Sequence, residues 1–277
     1  MSRGATRFTL PGLSRGATRF ALPGPSRGAI GVALLGLLLA GCQTPRAGSP
    51  PGALSAAEAV EAWEQRTEAR RALRALARLS VDAPGAAPDG GDLQLRARQR
   101  LWIARPARMR VEVLGLLDSA LAVLTIDRGR YALLQAPGRQ VERGEVYPEL
   151  LWEVARLELS PEETVGLILG APALDSRFAL AGAARRGDTL RLRFADAAGR
   201  LRRVADLGAA GELRRLEQRD AEGALAWEAH YADFVELGGD AFAQELRLRS
   251  PDAEARVLLR RVELNPALPE GLFEVAP

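Results

Sequence analysis

Apolar residues in the first part of the folded chain recur every three or four positions. Residues 58–79 are rich in Ala, Leu, Arg and Glu, and a helix would place their apolar side chains on one face. Ser55 followed by Glu58 fits a capping box, in which two side chains satisfy the first N–H groups of a helix. The pattern therefore predicts a helix over 58–79, a strand from Val81, and a turn over 84–91, which is rich in Pro and Gly.

The period then changes to two, which is typical of strands. Residues 93–113 alternate apolar and polar side chains around a turn and predict a hairpin with one dry and one wet face. Arg96, Arg98 and Arg100 occupy the wet face, where alternation places them without any need for a nucleic-acid ligand. Residues 120–127 are apolar at almost every position, so this strand needs cover on both faces or borders a cavity. Strands over 131–137 and 139–144 follow.

Two helices are predicted in the middle of the chain. Residues 147–156 place Leu150, Leu151 and Val154 on one face. The second helix has a clear start and stop. Its signals are Ser160 as N-cap, Pro161 at the first position, the acidic first turn Glu162–Glu163, and Gly170 with Pro172 at the end. The helix start explains the two carboxylates better than acid–base catalysis does.

Strand patterns dominate the remainder of the chain. Six short alternating segments are separated by turns, and their regular spacing indicates an antiparallel sheet or an open barrel. These segments are 189–196, 200–207, 212–220, 225–237, 241–250 and 254–265. In total we expect ten or eleven strands and three helices. No linker divides residues 55–277, so we predict one domain there.

The basic charge is concentrated at the N-terminus. Residues 1–41 hold five arginines and no acidic residue, and without them the net charge falls from +3 to −2. Total charge therefore gives no support to nucleic-acid binding. Residues 2–13 and 14–25 are near copies of each other, too short and too rich in Gly and Pro for a solenoid, and the true start of translation stays open.

An apolar run, residues 29–41, precedes the only cysteine, Cys42. The run is long enough for a signal peptide but short for a membrane-spanning helix. The letters "LAGC" resemble the lipobox of bacterial lipoproteins, which implies removal of residues 1–41, lipid attachment at Cys42 and no transmembrane span. Gln43 in place of Asp favours the outer membrane by the same resemblance. The alternative is a spanning anchor with an incidental cysteine. Residues 42–54 are predicted to form a flexible tether.

Residues suited to catalysis are scarce. His230 is the sole histidine and lies in a strand pattern, and we find no P-loop, G-x-G-x-x-G or G-x-S-x-G motif. One histidine without a free cysteine does not predict a zinc site, so we expect no metal and no cofactor apart from the lipid on Cys42. The sequence favours binding over catalysis.

A curved sheet with amphipathic helices over its concave face could hold acyl chains in a dry cleft. A sandwich core without a cavity is the alternative. We expect the cleft to be lined by Met109, Val111, Val113, Leu121, Val123 and Leu167.

Three segments resemble the LolA/LolB superfamily of lipoprotein carriers, most closely the LolB type. They are "WEQRTEARRALRALARLSVD" (63–82), "MRVEVLGLLDSALAVLTIDRGRYALL" (109–134) and "ETVGLILGAP" (163–172). The resemblance implies an α+β fold, an open and incomplete antiparallel barrel with helices over its concave face. It also implies a monomer on the periplasmic face of a Gram-negative outer membrane. There it would accept lipid or acylated lipoprotein cargo, with a periplasmic LolA-type carrier as partner.

The same resemblance gives a role to Leu116 and Leu117. In LolB-type proteins the corresponding loop presents an apolar residue that enters the membrane. Here Leu116 stands where proline is common and Asp118 where glycine is common. The alternative places Leu117 under the sheet. A second functional hypothesis is an accessory envelope lipoprotein that uses the fold to bind a partner protein.

Overall fold

Two helices begin at the predicted N-caps, Ser55 and Ser160. The computed structural model describes residues 54–87, 90–135, 140–151 and 159–274. In helix α1 (Ala56–Ala69) the hydroxyl of Ser55 accepts from the N–H of Glu58, and the Glu58 carboxylate accepts from the N–H of Ser55 at 2.7 Å. Helix α2 (Pro161–Ile168) repeats this arrangement with Ser160 and Glu163. Both predicted helix starts are confirmed.

The predicted length of the first helix is wrong. α1 ends at Ala69, and strand β1 (Ala72–Ala83) occupies most of the segment that we expected to be helical. The odd-numbered residues of β1 are buried, from Leu73 to Ala83, while Arg74, Arg78 and Asp82 are exposed. This period of two was present in the sequence, but Ala, Leu and Arg favour helices strongly enough to obscure it.

Thirteen antiparallel strands form one sheet in the described part of the chain. In the first half, β1 is followed by β2 (Leu93–Ala104), β3 (Arg108–Leu114), β4 (Ala120–Asp127), β5 (Arg130–Gln135) and β6 (Gln140–Glu145). In the second half lie β7 (Ala179–Arg186), β8 (Thr189–Ala195), β9 (Leu201–Leu207), β10 (Leu213–Arg219), β11 (Leu225–Leu237), β12 (Asp240–Arg249) and β13 (Glu254–Leu264). The six strand segments predicted after residue 188 are confirmed as β8–β13.

The element counts differ from the prediction of ten or eleven strands and three helices. β7 was not predicted, because its residues are mostly exposed and give no clear alternation, and β1 spans Ala72–Ala83, of which only the end from Val81 was predicted as strand. Within the described residues, α1 and α2 are the two helices that are described from start to end, and Leu116–Asp118 forms a 3₁₀ turn. The second half of the helix expected over 147–156, from residue 152, falls outside the described residues, and Leu150 and Leu151 of the first half are helical.

Two meanders build the sheet. β6 to β1 run in sequence along one half, β13 to β7 along the other, and the β1–β13 pair joins them, for example through Leu79 opposite Val257. β6 and β7 are therefore the two ends of the sheet. Short connections join strands that are neighbours in a sheet, so strands joined by hairpins are expected to lie in the order of the sequence.

Both helices pack against one face of the sheet, which we call the inner face. Ala59 and Trp63 of α1 and Leu167 of α2 join a buried cluster with inner residues of β8–β12. Val165 of α2 and its C-cap residue Leu169 join a second cluster with inner residues of β1–β4. The architecture is thus α+β, an open antiparallel sheet whose inner face is covered by helices.

Candidate functional site

A cavity of about 200 Å³ lies between the inner face of β1–β5 and helix α2. Its lining is aliphatic except for Gln99 and Thr164. The three contributions from β3 are Met109, Val111 and Val113, and Ile168 of α2 covers them. A dry lining with few polar groups suits an apolar ligand and offers little to hold a charged one.

Strand register explains which predicted cleft residues meet. Met109, Val111 and Val113 share one parity of β3, and β4 places Leu124 opposite Val111 and Ala122 opposite Val113. These inner residues surround the cavity.

The structure places the other three predicted cleft residues elsewhere. Leu121 and Val123 have the opposite parity of β4 and therefore lie on the outer face, where Leu121 is 48% exposed. Leu167 packs with Trp63 in the cluster beside β8–β12.

Several lining residues come from parts of the chain that sequence reasoning did not connect. Leu79 and Val257 enter from the β1–β13 pair, which joins positions far apart in sequence. Thr164 and Ile168 enter from one face of α2. Their spacing of four residues was a usable signal, because it places two side chains on the same side of a helix.

Helix α1 is fastened to the segment that follows α2. The indole N–H of Trp63 donates to the carbonyl oxygen of Pro172 at 2.7 Å, and Arg70 donates to the carbonyl oxygen of Leu169 at 3.0 Å. Arg105, at the start of the β2–β3 turn, donates to the carbonyl oxygens of Arg70 and Ala171. These bonds join the two helices into one cover over the inner face.

An ion pair holds the end of α1 to the sheet. Arg70 is buried and donates to Asp240 of β12 at 2.7 Å, and Arg66 donates to the same carboxylate at 2.8 Å. Burial alone would raise the pKa of Asp240, but the two guanidinium groups outweigh it and hold this pKa below its usual value.

The loop between β3 and β4 presents two leucines to solvent. Leu116 is 90% exposed and Leu117 is 100% exposed. Leu117 (φ 58°, ψ 28°) and Asp118 (φ 57°) both have left-handed backbone, a costly conformation for a leucine. A hydrogen bond of 2.8 Å from the N–H of Gly115 to the carbonyl oxygen of Ser119 closes the loop. The loop thus holds its leucines outward in a defined conformation.

This apolar loop adjoins the cavity. Val113 precedes it by two residues and Ala122 follows Ser119 by three, and both line the cavity. The structure therefore brings the predicted loop residues Leu116 and Leu117 next to the predicted cleft residues of β3.

A second, larger recess of about 430 Å³ has both charged and apolar lining residues. Arg203, which is buried, donates to Gln218 at 3.0 Å and to the carbonyl oxygen of Ala173 at 2.9 Å, while Arg177 pairs with Asp175. Burial lowers the pKa of Arg203. Because protein groups already satisfy these charges, we regard the recess as structural.

Other candidate chemistry remains dispersed. His230 lies on the outer face of β11 against the Glu228 carboxylate and is exposed, and Cys42 falls outside the described residues. The described ranges contain no group of His, Cys, Asp and Glu side chains placed to hold a metal ion. Within those ranges no helix is long and apolar enough to cross a membrane.

Two solved structures share this fold over nearly their whole length. A LolA superfamily protein from Nitrosomonas europaea aligns with a TM-score of 0.53 and 12% identity over 78% of this chain and 97% of that chain. A DUF1329 family protein from Desulfovibrio piger aligns with a TM-score of 0.53 and 14% identity over 78% of this chain and 94% of that chain. No protein-family model and no curated protein matches the sequence. The fold is LolA/LolB-like, as the sequence resemblance predicted.

Proposed function

We propose that the protein is a non-catalytic envelope lipoprotein that binds acyl chains in the inner cavity and helps to receive lipids or lipoproteins at a membrane. The observation that carries this proposal is the adjacency of an aliphatic cavity and a fully exposed leucine pair. The cavity would shield acyl chains from water, and the leucine pair would contact the membrane that supplies or receives them.

Acyl binding at this site needs no titrating group. Each methylene group that leaves water stabilises the complex by about 0.8 kcal/mol, so binding strength depends on how much chain the cavity encloses. A volume of about 200 Å³ is smaller than the usual range for ligand pockets, roughly 300–1,000 Å³. A long acyl chain would therefore require α1 and α2 to move away from the inner face.

The exposed loop would supply contact with the bilayer. Leu116 and Leu117 lose unfavourable contact with water when they enter the apolar layer, which offsets the backbone strain at Leu117. Insertion of this loop would bring the end of the cavity at Val113 close to the lipid surface.

The attachment and partners belong to the same proposal. Lipidation at Cys42 would anchor the chain, with Gln43 favouring the periplasmic face of the outer membrane. Two or three acyl groups at Cys42 suffice for stable anchoring. A monomer whose helices move away from the inner face could take cargo from a LolA-type periplasmic carrier.

Native mass spectrometry of the purified protein and a delivery assay test the two parts of the proposal. We expect co-purified acyl lipid, and we expect the Leu116→Glu/Leu117→Glu variant to impair delivery of lipoproteins to the outer membrane. Leu180→Glu is a matched control, since Leu180 is exposed but lies in β7. Absence of acyl lipid would favour the partner-binding alternative, and normal delivery by the double variant would remove the insertion role.

A further inference from the structure

A cluster of arginines covers the outer face of the sheet beside the apolar loop. We call Arg78, Arg96, Arg98 and Arg260 the outer arginine cluster; all four are exposed. Arg78 of β1 lies directly opposite Arg98 of β2, while Arg96 follows on the same face. Arg78, Arg98 and Arg260 line a groove of about 240 Å³.

The charges of this cluster are poorly compensated. Within the described residues its one carboxylate partner is Asp118, which pairs with Arg98. By contrast, the neighbouring Arg100 pairs with Glu112 at 2.9 Å. Like charges placed directly opposite each other on a sheet are destabilising, so the Arg78–Arg98 arrangement favours an external anion.

The cluster and the apolar loop form one continuous surface. Arg98 lies opposite Leu114, the last residue of β3, and its ion-pair partner Asp118 belongs to the loop itself. Leu116 and Leu117 therefore stand beside guanidinium groups. Exposed apolar side chains bordered by cations are the usual composition of a surface that binds an anionic membrane.

We propose that this surface docks on a bilayer that contains anionic phospholipids, with the outer arginine cluster binding their phosphate groups. This inference rests on the proposed function, in which the leucine loop contacts the membrane. It adds that the membrane is recognised through the phosphate groups of its lipids. Guanidinium groups bind phosphate oxygens through paired hydrogen bonds, and the groove bounded by Leu76 and Leu258 gives one phosphate a defined place.

Vesicle sedimentation tests the headgroup preference. The mature chain, which starts at residue 42 and carries Cys42→Ser in all variants, has neither the lipid nor the five arginines and apolar run of residues 1–41. It is mixed with vesicles of phosphatidylcholine alone or of equal parts phosphatidylcholine and phosphatidylglycerol. We expect tighter binding to the mixed vesicles. The Arg78→Gln/Arg96→Gln/Arg260→Gln variant should lose about fivefold per arginine, or roughly a hundredfold, on mixed vesicles only. High salt should reduce the same difference.

A matched variant separates a local site from net charge. Arg128→Gln/Arg130→Gln/Arg186→Gln removes the same charge from exposed positions at the β4–β5 and β7–β8 turns, at the strand ends away from the apolar loop, and should bind as the parent does. The proposal would be overturned if both triple variants lost affinity equally, or if the parent showed no preference for phosphatidylglycerol. Equally strong binding of a DNA duplex would overturn it as well.

The leucine variant separates this proposal from the proposed function. Leu116→Glu/Leu117→Glu should weaken binding to both kinds of vesicle. If it binds both kinds as the parent does, the insertion role fails and the shared docking surface fails with it. If it weakens binding to both kinds while the parent shows no phosphatidylglycerol preference, only the headgroup proposal fails. Unchanged circular dichroism of each variant establishes that the fold is intact.

Discussion

Trp63 and Pro172 are joined by a hydrogen bond of 2.7 Å across 109 residues of sequence. The indole N–H donates and the carbonyl oxygen of Pro172 accepts, in a buried environment. Because Trp63 belongs to α1 and Pro172 follows α2, this single bond couples the two elements that cover the inner face. Movement of one helix is therefore expected to involve the other.

Trp63→Phe should weaken this coupling. The substitution keeps an aromatic ring near Phe194, whose centroid lies 6.3 Å away, but leaves the Pro172 oxygen without its donor. We expect a loss of about 1–3 kcal/mol in the free energy of unfolding, measured by denaturant titration followed by circular dichroism. Trp102→Phe on the outer face is the control and should change stability much less. Equal losses in both variants would contradict the role of the bond.

Glu245 should make stability depend on pH. Hydrogen bonds from Arg256 and then from Arg247 lower the pKa of Glu245. Burial acts in the opposite direction but is outweighed, and the resulting pKa is about 2. This value lies below the unfolded-state pKa of about 4.3, so the stabilisation is complete above the latter and is lost as pH falls toward 2. Glu245→Gln should cost about 1–3 kcal/mol near neutral pH, and the difference from the parent should vanish near pH 2.

Thermal unfolding over a pH series measures this difference. Glu263→Gln is the control, because Glu263 and Arg74 form an exposed pair, each side chain 51% accessible, which should contribute little. A difference between parent and Glu245→Gln that stays constant with pH would exclude the carboxylate charge as its cause.

Filling the cavity should block ligand binding. Ala97 lines it from β2, and Ala97→Phe would place a ring in the space of about 200 Å³. We expect binding of a fluorescent fatty acid to fall more than tenfold because the enclosed volume is gone. Ala184→Phe adds the same group on exposed β7 and should leave binding unchanged. If the larger ring unfolds the chain, Ala97→Leu is the smaller substitution to use. Retained affinity in a folded variant would place the acyl chain elsewhere.

Leu117→Gly should separate stability from function. Glycine adopts a φ of 58° without strain, so we expect the free energy of unfolding, and with it the unfolding midpoint, to stay the same or to rise, the former by up to about 1 kcal/mol. Vesicle binding should fall because the exposed apolar side chain is removed. Arg128→Gly is the control, since Arg128 also has positive φ (49°) but lies in the β4–β5 turn. A lower midpoint in Leu117→Gly would show that the side chain supports the fold.

Local patterns predicted the helix starts and the second meander well. Capping boxes at Ser55 and Ser160 and the alternation of β8–β13 depend on neighbours in sequence. The part of β1 before Val81 was predicted as helix because its residues favour helix, and pairing with β2 and β13 overrides that preference. β7 was missed because an exposed edge strand shows no buried face.

Candidate cleft residues show the same limit. On β3 the polar residues Arg110 and Glu112 alternate with the apolar ones, which indicates the buried face. Met109, Val111 and Val113 could therefore be chosen together from the sequence. On β4 both parities are apolar, and only the register with β3 shows that Ala122 and Leu124 face inward. No local signal could have shown that Val257 approaches the same space.

The position of β6 and β7 at the two ends of the sheet gives the cavity wall an unequal stiffness. Every strand between β6 and β7 is hydrogen-bonded to a neighbour on each side, so separating two of them would break backbone hydrogen bonds. Outward displacement of α2 breaks no hydrogen bond between strands. Such a displacement sacrifices side-chain contacts of Val165, Leu167 and Leu169. We therefore expect a guest larger than the resting cavity to enter by displacement of α2, with the pairing of the thirteen described strands unchanged.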